Sequence, residues 1–201
     1  PGLQGLDAQF ELNERGGQAT LAMQDGMLHF PGVFEEAALP LQQLQAQVQW
    51  SVEQGRLKVE VPQAIFANED AQGEFHGWWQ MGENTAQRLP GHLHLQGRLR
   101  EANGARVHRY LPLQVPETAR QYVRDSVQQG AGENVEFEVK GPLDAMPFDQ
   151  PGSGRFYIKA PVKQVTYAFV PPSLKADAHT QWPTLTNLNG TLVFEGSRMT
   201  V

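Results

Sequence analysis

The sequence contains no cysteine, which excludes disulfide bonds and thiolate sites for metal binding or nucleophilic catalysis. This absence fits the periplasm and the cytoplasm alike, because many exported proteins avoid unpaired thiols. The sequence also has no apolar run near the roughly 20 residues that a membrane-spanning helix requires. Any membrane anchor is therefore expected outside these 201 residues, and we expect the chain to be a section of a longer protein.

Basic residues are outnumbered by acidic ones. The chain has 16 lysines and arginines against 22 aspartates and glutamates, which gives a formal net charge of -6 at pH 7. A negative chain is poorly suited to binding a phosphate backbone, or to adhering to an anionic membrane surface through a basic patch. We therefore predict no nucleic-acid partner.

Signatures of catalysis and of metal binding are also missing. There is no Gly-x-Ser-x-Gly elbow and no phosphate-binding glycine loop ahead of a helix. The acidic pairs at residues 35–36 and 69–70 fall in predicted turns, where solvated carboxylates are ordinary. His76, His92 and His94 can share the polar face of neighbouring strands, but no carboxylate or cysteine completes a zinc-ligand spacing. We predict no enzyme activity, no catalytic residue, no metal site and no cofactor.

What the sequence does contain is alternation of apolar and polar residues. Leu6, Ala8, Phe10 and Leu12 alternate with polar neighbours, and similar segments recur about every ten residues along the chain. Asp25–Gly26 and Gln54–Gly55 are predicted turns between strands. The pattern predicts a mainly β protein built as an antiparallel meander, and leaves sandwich, barrel and open array as alternatives.

Several of these strands share a pattern in which a small residue follows two bulky ones on the same face. The copies are Leu93–Leu95–Gly97–Leu99, Phe137–Val139–Gly141–Leu143 and Phe156–Ile158–Ala160–Val162, with a partial fourth copy in Leu192–Phe194–Gly196. Glycine inside a strand otherwise weakens it, so the pattern indicates that the sheet bends there or admits another group closely. Ordinary barrel or sandwich curvature is the alternative explanation.

One helix signal interrupts the strands between Val107 and Phe148. A helix is predicted from Pro116 to Gln129, with Gly130 as a left-handed stop. Its apolar stripe is too short and too narrow to hold a helix in water alone, so we expect the helix to dock on the β array as a cap or plug. The predicted docking face is Ala119, Tyr122, Val123 and Val127.

The same region carries a family resemblance. The motifs are Tyr110–Leu111–Pro112, the helix ending at Gly130, the strand through Gly141 and Leu143 to Met146–Pro147–Phe148, and a C-terminal set of Val165, Tyr167, Trp182, Pro183, Leu185, Gly190, Leu192, Phe194 and Gly196. With these motifs the chain resembles the AsmA-like family of envelope proteins. It is most similar to the YhdP branch, with TamB a more distant relative. The N-terminal half resembles the family only in its general sequence character and carries none of these motifs.

The resemblance implies a curled antiparallel sheet that forms an open hydrophobic groove, with one amphipathic helix near its middle. The implied function is a section of a periplasmic bridge that carries phospholipid acyl chains between the inner and outer membranes of a Gram-negative bacterium. Membrane contacts and the inner-membrane anchor would lie outside this chain. We expect three sections of one continuous segment: residues 1–106, the helix-containing residues 107–148, and residues 149–201.

The predicted groove lining consists of apolar residues that share one strand parity. They are Phe10, Leu93, Leu95, Phe137, Val139, Phe156, Ile158, Tyr167, Phe169, Leu192 and Phe194. The same parity would fill the core of a closed β-sandwich, which is the alternative: a binding or scaffold module that recognises a glycan or a protein partner. Aromatic residues confined to one parity favour the groove, and exposed aromatics in loops would favour the module.

Overall fold

Among the residues that the structure describes, ten strands form one antiparallel sheet in which neighbours in sequence are neighbours in space. The computed structural model describes residues 2–83, 88–113, 115–146, 148, 150–171 and 182–201. The strands are β1 Gly2–Asn13, β2 Gly16–His29, β3 Ala38–Glu53, β4 Arg56–Ala67, β5 Ala71–Gln80, β6 His92–Asn103, β7 Val127–Pro142, β8 Arg155–Ala168, β9 Thr184–Glu195 and β10 Arg198–Thr200. The prediction of a mainly β antiparallel meander is confirmed.

The sheet is open. Within the described residues β1 pairs only with β2, and β10 pairs only with β9, so the sheet does not close on itself. This departs from both the barrel and the closed sandwich that the alternation also allowed. Strands from all three predicted sections belong to this one sheet, and the division at residues 106 and 148 stays a prediction. Pro147, one residue of the resemblance, lies outside the described residues.

The two predicted turns have different outcomes. Gln54 and Gly55 have φ angles of 52° and 72°, the left-handed pair that a two-residue hairpin turn of type I′ requires, so this turn is confirmed. The turn predicted at Asp25 is wrong, because β2 continues to His29. Asp25 has φ of 51° opposite a register shift in β1, and this marks a β-bulge that bends the strand without ending it.

The connection between β6 and β7 contains the 3₁₀ helix η1, Gly104–Tyr110, and the helix α1, Glu117–Ser126. The helix is shorter than predicted, and Gly130 is not its stop. Val127 already pairs with Tyr167 of β8, so long-range strand pairing takes over where the local helix signal continued. A Cβ at Gly130 would lie 2.8 Å from the Val165 side chain, so glycine permits close approach of the two strands.

The sheet curls strongly enough to bury part of its own surface. Met23 is 2% exposed and Ala64 is 0% exposed, although the described elements include no second sheet to cover them. Both belong to one buried cluster with Leu41, Leu44 and Ala46. In a single layer such burial requires the sheet to bend around its own apolar side chains, so the fold is a curled sheet.

Candidate functional site

A row of apolar residues and glycine crosses all ten strands. Each member is the direct pairing partner of the next, and directly paired residues in an antiparallel sheet project from the same face. The row is Ala8, Leu21, Ala46, Ala64, Phe75, Gly97, Phe137, Ile158, Phe194 and Met199. We call the face that carries this row the apolar face and the opposite one the polar face.

The register brings the predicted lining residues together, with one exception. Those on the apolar face are Phe10, Leu93, Leu95, Phe137, Val139, Phe156, Ile158, Tyr167, Leu192 and Phe194. Phe169 lies beyond the end of β8, is exposed, and stacks against Trp182 with ring centroids 5.8 Å apart. Contact of these residues with lipid stays a prediction.

The predicted lining omits most of the apolar-face residues in the N-terminal strands. Leu21, Ala46, Ala64 and Phe75 occupy the row in β2 to β5. A second row joins Trp50, Val59, Trp79 and Leu93 across β3 to β6. The available signal was strand alternation, which already placed Trp50, Phe75 and Trp79 on the apolar parity. Their membership of one surface with β6 to β9 required the register.

Burial differs along the apolar face. In β2 to β5, Met23, Leu44, Ala46 and Ala64 are buried in one cluster, and Ala19 is buried as well. In β6 to β9 the lining side chains are only half-buried; they are Leu93, Leu95, Phe137, Val139, Phe156, Ile158, Leu192 and Phe194. The face is therefore filled by its own side chains across β2 to β5, and it is more accessible across β6 to β9, although Val135 of β7 is buried.

Glycines on the apolar face lie under aromatic rings of neighbouring segments. A Cβ at Gly97 would collide with the Phe137 ring, and one at Gly141 would lie 2.9 Å from the Phe148 ring. At these two positions the small residue admits another group closely, one of the possibilities that the repeated pattern indicated. Packing of a ring against glycine compensates for the side chain that glycine lacks.

The polar face is charged and internally paired. Glu138 accepts hydrogen bonds from Gln96 Nε2 at 3.0 Å and is paired with Arg155 at 3.1 Å. Burial raises the pKa of Glu138, but the Gln96 hydrogen bond and the Arg155 charge outweigh it and leave the pKa below its usual range. A shallow cavity of about 690 Å³ lies mainly on this face, beside Glu74, Arg98 and Glu138. The charged lining makes it unsuitable for an acyl chain.

The three histidines also lie on the polar face. His76 contacts Gln96 at 3.2 Å, His94 packs edge-on against Trp78, and His92 pairs with Gln80. Among the residues that the structure describes, no group of three metal-ligating side chains is close enough to hold an ion. Contacts with neighbouring strands therefore account for the positions of His76 and His94.

The connection from residue 104 to residue 126, which we call the insertion, contacts the sheet at two separate places. Arg124 donates to Glu35 at 2.8 Å, and Leu113 donates its backbone N–H to Val33 at 2.8 Å, so the insertion reaches the β2–β3 loop. On the other side, Tyr122 shares a 2.7 Å hydrogen bond with Tyr167 of β8. Burial and this hydrogen bond raise the pKa of Tyr167 to about 12, so Tyr167 stays neutral at physiological pH.

The predicted docking residues are partly covered by the rest of the protein. Ala119, Tyr122, Val123 and Val127 are each half-buried, and Val127 belongs to β7 rather than to the helix. The most buried helix residues are Arg120 and Ser126, neither of which is among the four predicted docking residues. Arg120 donates to the carbonyl of Val115 at 2.6 Å, so it is buried by binding the backbone that leads into its own helix.

Asp70 departs most from its prediction. We expected a solvated carboxylate, but Asp70 is 7% exposed and pairs with Arg109 of η1. It also accepts a 2.9 Å hydrogen bond from Tyr110, which in turn accepts one of 2.8 Å from Asn68. Burial, together with the nearby carboxylate, raises the pKa of Tyr110 to about 12. The partners are about forty residues apart in sequence, so no local pattern reveals them.

Arg109 also binds a second carboxylate. Its Nε and one terminal nitrogen donate to the two oxygens of Glu36 at 3.0 and 2.7 Å, the bidentate geometry that strengthens arginine–carboxylate pairs. The hydrogen bond from Arg109 lowers the pKa of Glu36. Arg109 therefore joins the β2–β3 loop, the β4–β5 turn and η1 at one rim of the sheet.

A family model described as YhdP protein matches residues 1–201, the whole chain. The chain belongs to the YhdP family. No curated protein and no solved structure matches it. The AsmA-like, YhdP-branch resemblance is therefore confirmed, over the N-terminal half as well as over the motifs that carried it.

YhdP-family proteins are lipid-transport proteins of the Gram-negative envelope, related to bridge-like lipid-transfer proteins. An open curled sheet with one apolar face fits that family role. Among the described residues, no helix is both long and apolar enough to cross a bilayer.

Proposed function

We propose that the apolar face is a trough that carries phospholipid acyl chains as one section of a longer bridge between the inner and outer membranes. The observation that carries the proposal is the uninterrupted row from Ala8 to Met199, in which every strand contributes an apolar residue or glycine. No charged side chain interrupts it. At about 4.8 Å per strand, ten strands form a path roughly 43 Å long.

The physical need for such a path is the cost of exposing an acyl chain to water. Each methylene contributes about 0.8 kcal/mol, so a chain of about sixteen carbons faces a barrier on the order of 10 kcal/mol in water. A continuous trough removes most of this barrier while the headgroup stays solvated at the rim. Movement along the trough needs no catalytic group and no cofactor.

The accessible part of the apolar face supports the same proposal. Phe137, Ile158 and Phe194 are consecutive partners across β7 to β9, and each leaves part of its side chain uncovered. Half-buried apolar side chains on the inside of a curled sheet are available to a lipid without any rearrangement. We propose that acyl chains contact β6 to β9 most closely.

We further propose that α1 docks at the trough rim through its half-buried residues Ala119, Tyr122 and Val123. The hydrogen bond between Tyr122 and Tyr167 supports this, because Tyr167 belongs to the apolar face. Docking of this kind supplies the burial that a ten-residue helix needs in order to persist.

The test is photo-crosslinking from two adjacent positions of β8. A benzophenone amino acid at Ile158, on the apolar face, is expected to capture phospholipid in cells, identified by mass spectrometry of the adduct. The matched control is Lys159, which is exposed on the polar face and pairs with Glu136. Equal capture from the two positions would contradict the trough.

A further inference from the structure

The insertion is held by strong contacts at one end and by weak contacts at the other. At η1, Arg109 is paired with the buried Asp70, and Tyr110 donates to the same carboxylate at 2.9 Å. Breaking such a pair leaves a buried charge without a partner, which is strongly unfavourable. The 3₁₀ helix is therefore fixed to the β4–β5 turn.

The contacts of α1 are of a different kind. On the β2–β3 loop, Glu35 pairs with Arg124 at 2.8 Å and lies 3.9 Å from the guanidinium of Arg120; the side chains of Arg124 and Glu35 are 41% and 48% exposed. Exposed ion pairs contribute little to stability and are weakened further by salt. The bond to β8 is the hydrogen bond between Tyr122 and Tyr167, with a second one of 3.0 Å from Tyr122 to the carbonyl of Phe169.

These weak contacts lie on opposite sides of the trough rim. Five strand spacings, about 24 Å, separate β3 from β8 along the sheet. The helix joins the loop that precedes β3 to the end of β8, so it crosses this part of the rim. Leu185 is the pairing partner of Tyr167, and Leu188 is the partner of Val165; both leucines lie on the apolar face of β9 and are 44% and 37% exposed.

We propose that α1 is a latch over a lateral portal, and that a phospholipid enters the trough sideways between α1 and the β8–β9 rim. The portal is lined by Tyr167, Leu185 and Leu188. Opening breaks the Arg124–Glu35 and Tyr122–Tyr167 contacts while η1 stays fixed through Asp70. The inference rests on the proposed trough and adds where lipid gains access to it and which contacts control that access.

The absence of cysteine makes the latch directly testable. Glu35→Cys and Arg124→Cys, joined by a short bismaleimide, hold α1 closed covalently in the complete chain. The matched control joins Arg56→Cys and Glu83→Cys, which replace an exposed ion pair of 3.1 Å at the opposite rim. The measurement is the rate at which each protein takes up pyrene-labelled phospholipid from vesicles of phosphatidylethanolamine and phosphatidylglycerol.

We expect the closed latch to slow uptake by about tenfold or more, as closure of a gating element does, while the control crosslink leaves the rate unchanged. A second variant, Glu35→Gln, keeps the loop's shape but releases Arg124, and should speed uptake at low salt and reduce its dependence on salt. Equal uptake by the two crosslinked proteins would overturn the latch and leave the trough standing. No uptake by any variant, crosslinked or not, would overturn the trough itself and the latch with it.

Discussion

The apolar face has the same strand pattern throughout, yet its two halves differ in accessibility. In β2 to β5 Met23 and Ala64 are almost fully enclosed by their neighbours, whereas in β6 to β9 the equivalent side chains, such as Val139 and Ile158, remain half-exposed. The difference shows that strand parity decides which face is apolar, but does not by itself decide how far that face is filled by its own side chains. Stability therefore concentrates in one half and accessible surface in the other.

The largest expected effect comes from removing a side chain in the filled half. Met23→Ala should lower the free energy of unfolding by about 3 kcal/mol, because it opens a cavity among enclosed neighbours. The matched change Ile158→Ala should cost about 1 kcal/mol, since its site is already open to solvent. Urea denaturation measures both, and equal losses would show that the two halves pack alike.

Glycine substitutions test the boundary between the halves. Gly97→Ala should cost about 2 kcal/mol, because the new Cβ would press on the Phe137 ring and on the Glu74 carbonyl oxygen, 2.6 Å away. Gly190→Ala is the matched control on the apolar face of β9, where no atom lies within 4 Å of the added carbon. It should be neutral or slightly stabilising. Thermal unfolding distinguishes the two, and a neutral Gly97→Ala would mean that the ring can move aside freely.

Val123→Asp tests how the insertion relates to the open half. Placing a carboxylate on the half-buried side of α1 should destabilise its docking by about 2 kcal/mol. We expect the strands to stay folded and lipid access to rise, as measured by pyrene-lipid uptake and circular dichroism. Thr118→Asp, on the exposed side near the start of the helix, is the control and should change neither. If α1 is instead only a structural cap, melting temperature and lipid retention should fall together. Unchanged stability and unchanged lipid content in Val123→Asp would show that the helix docks on neither half.

The smallest expected effect is on pH dependence at the rim. The pKa of Glu36 is lowered by Arg109, so this pair stabilises the fold fully above the unfolded-state pKa near 4.3. That contribution is lost as the pH falls through the lower, folded-state pKa. The protection factors of the η1 amides, which are the intrinsic exchange rates at each pH divided by the observed rates, should therefore fall below about pH 4 in the native chain. Glu36→Gln should flatten this dependence, and an identical acid profile in the variant would assign it to another carboxylate.

Local patterns in the sequence were sufficient where the structure is set by neighbouring residues. Alternation around Phe137 and Ile158 indicated strands with one apolar face, and Gln54–Gly55 indicated a hairpin turn, because these features depend on the pleat and on backbone conformation. The resemblance motifs led to the correct family without any register being known.

Local patterns failed where distant segments decide. The helix ends at Ser126 because Val127 pairs with Tyr167, and Asp70 is buried because Arg109 and Tyr110 reach it from another connection. Asp25 forms a bulge because β2 has partners on both sides to hold it in the sheet. In each case the competing interaction lies tens of residues or at least one strand away, beyond any window of sequence.

The pairing of each strand only with its sequence neighbours has a consequence for how such a chain can change in length. Duplicating or deleting one hairpin in register would change the length of the trough by two spacings, about 10 Å, and would give new partners only to the strands that flank the change. Because a hairpin returns the chain to the same side and the same parity, the apolar face would remain continuous. The insertion is the exception, because it can contact both Glu35 and Tyr167 only when the number of strands between them is fixed. Duplication or deletion of a hairpin is therefore expected to be tolerated outside the segment from β3 to β8 and disfavoured within it.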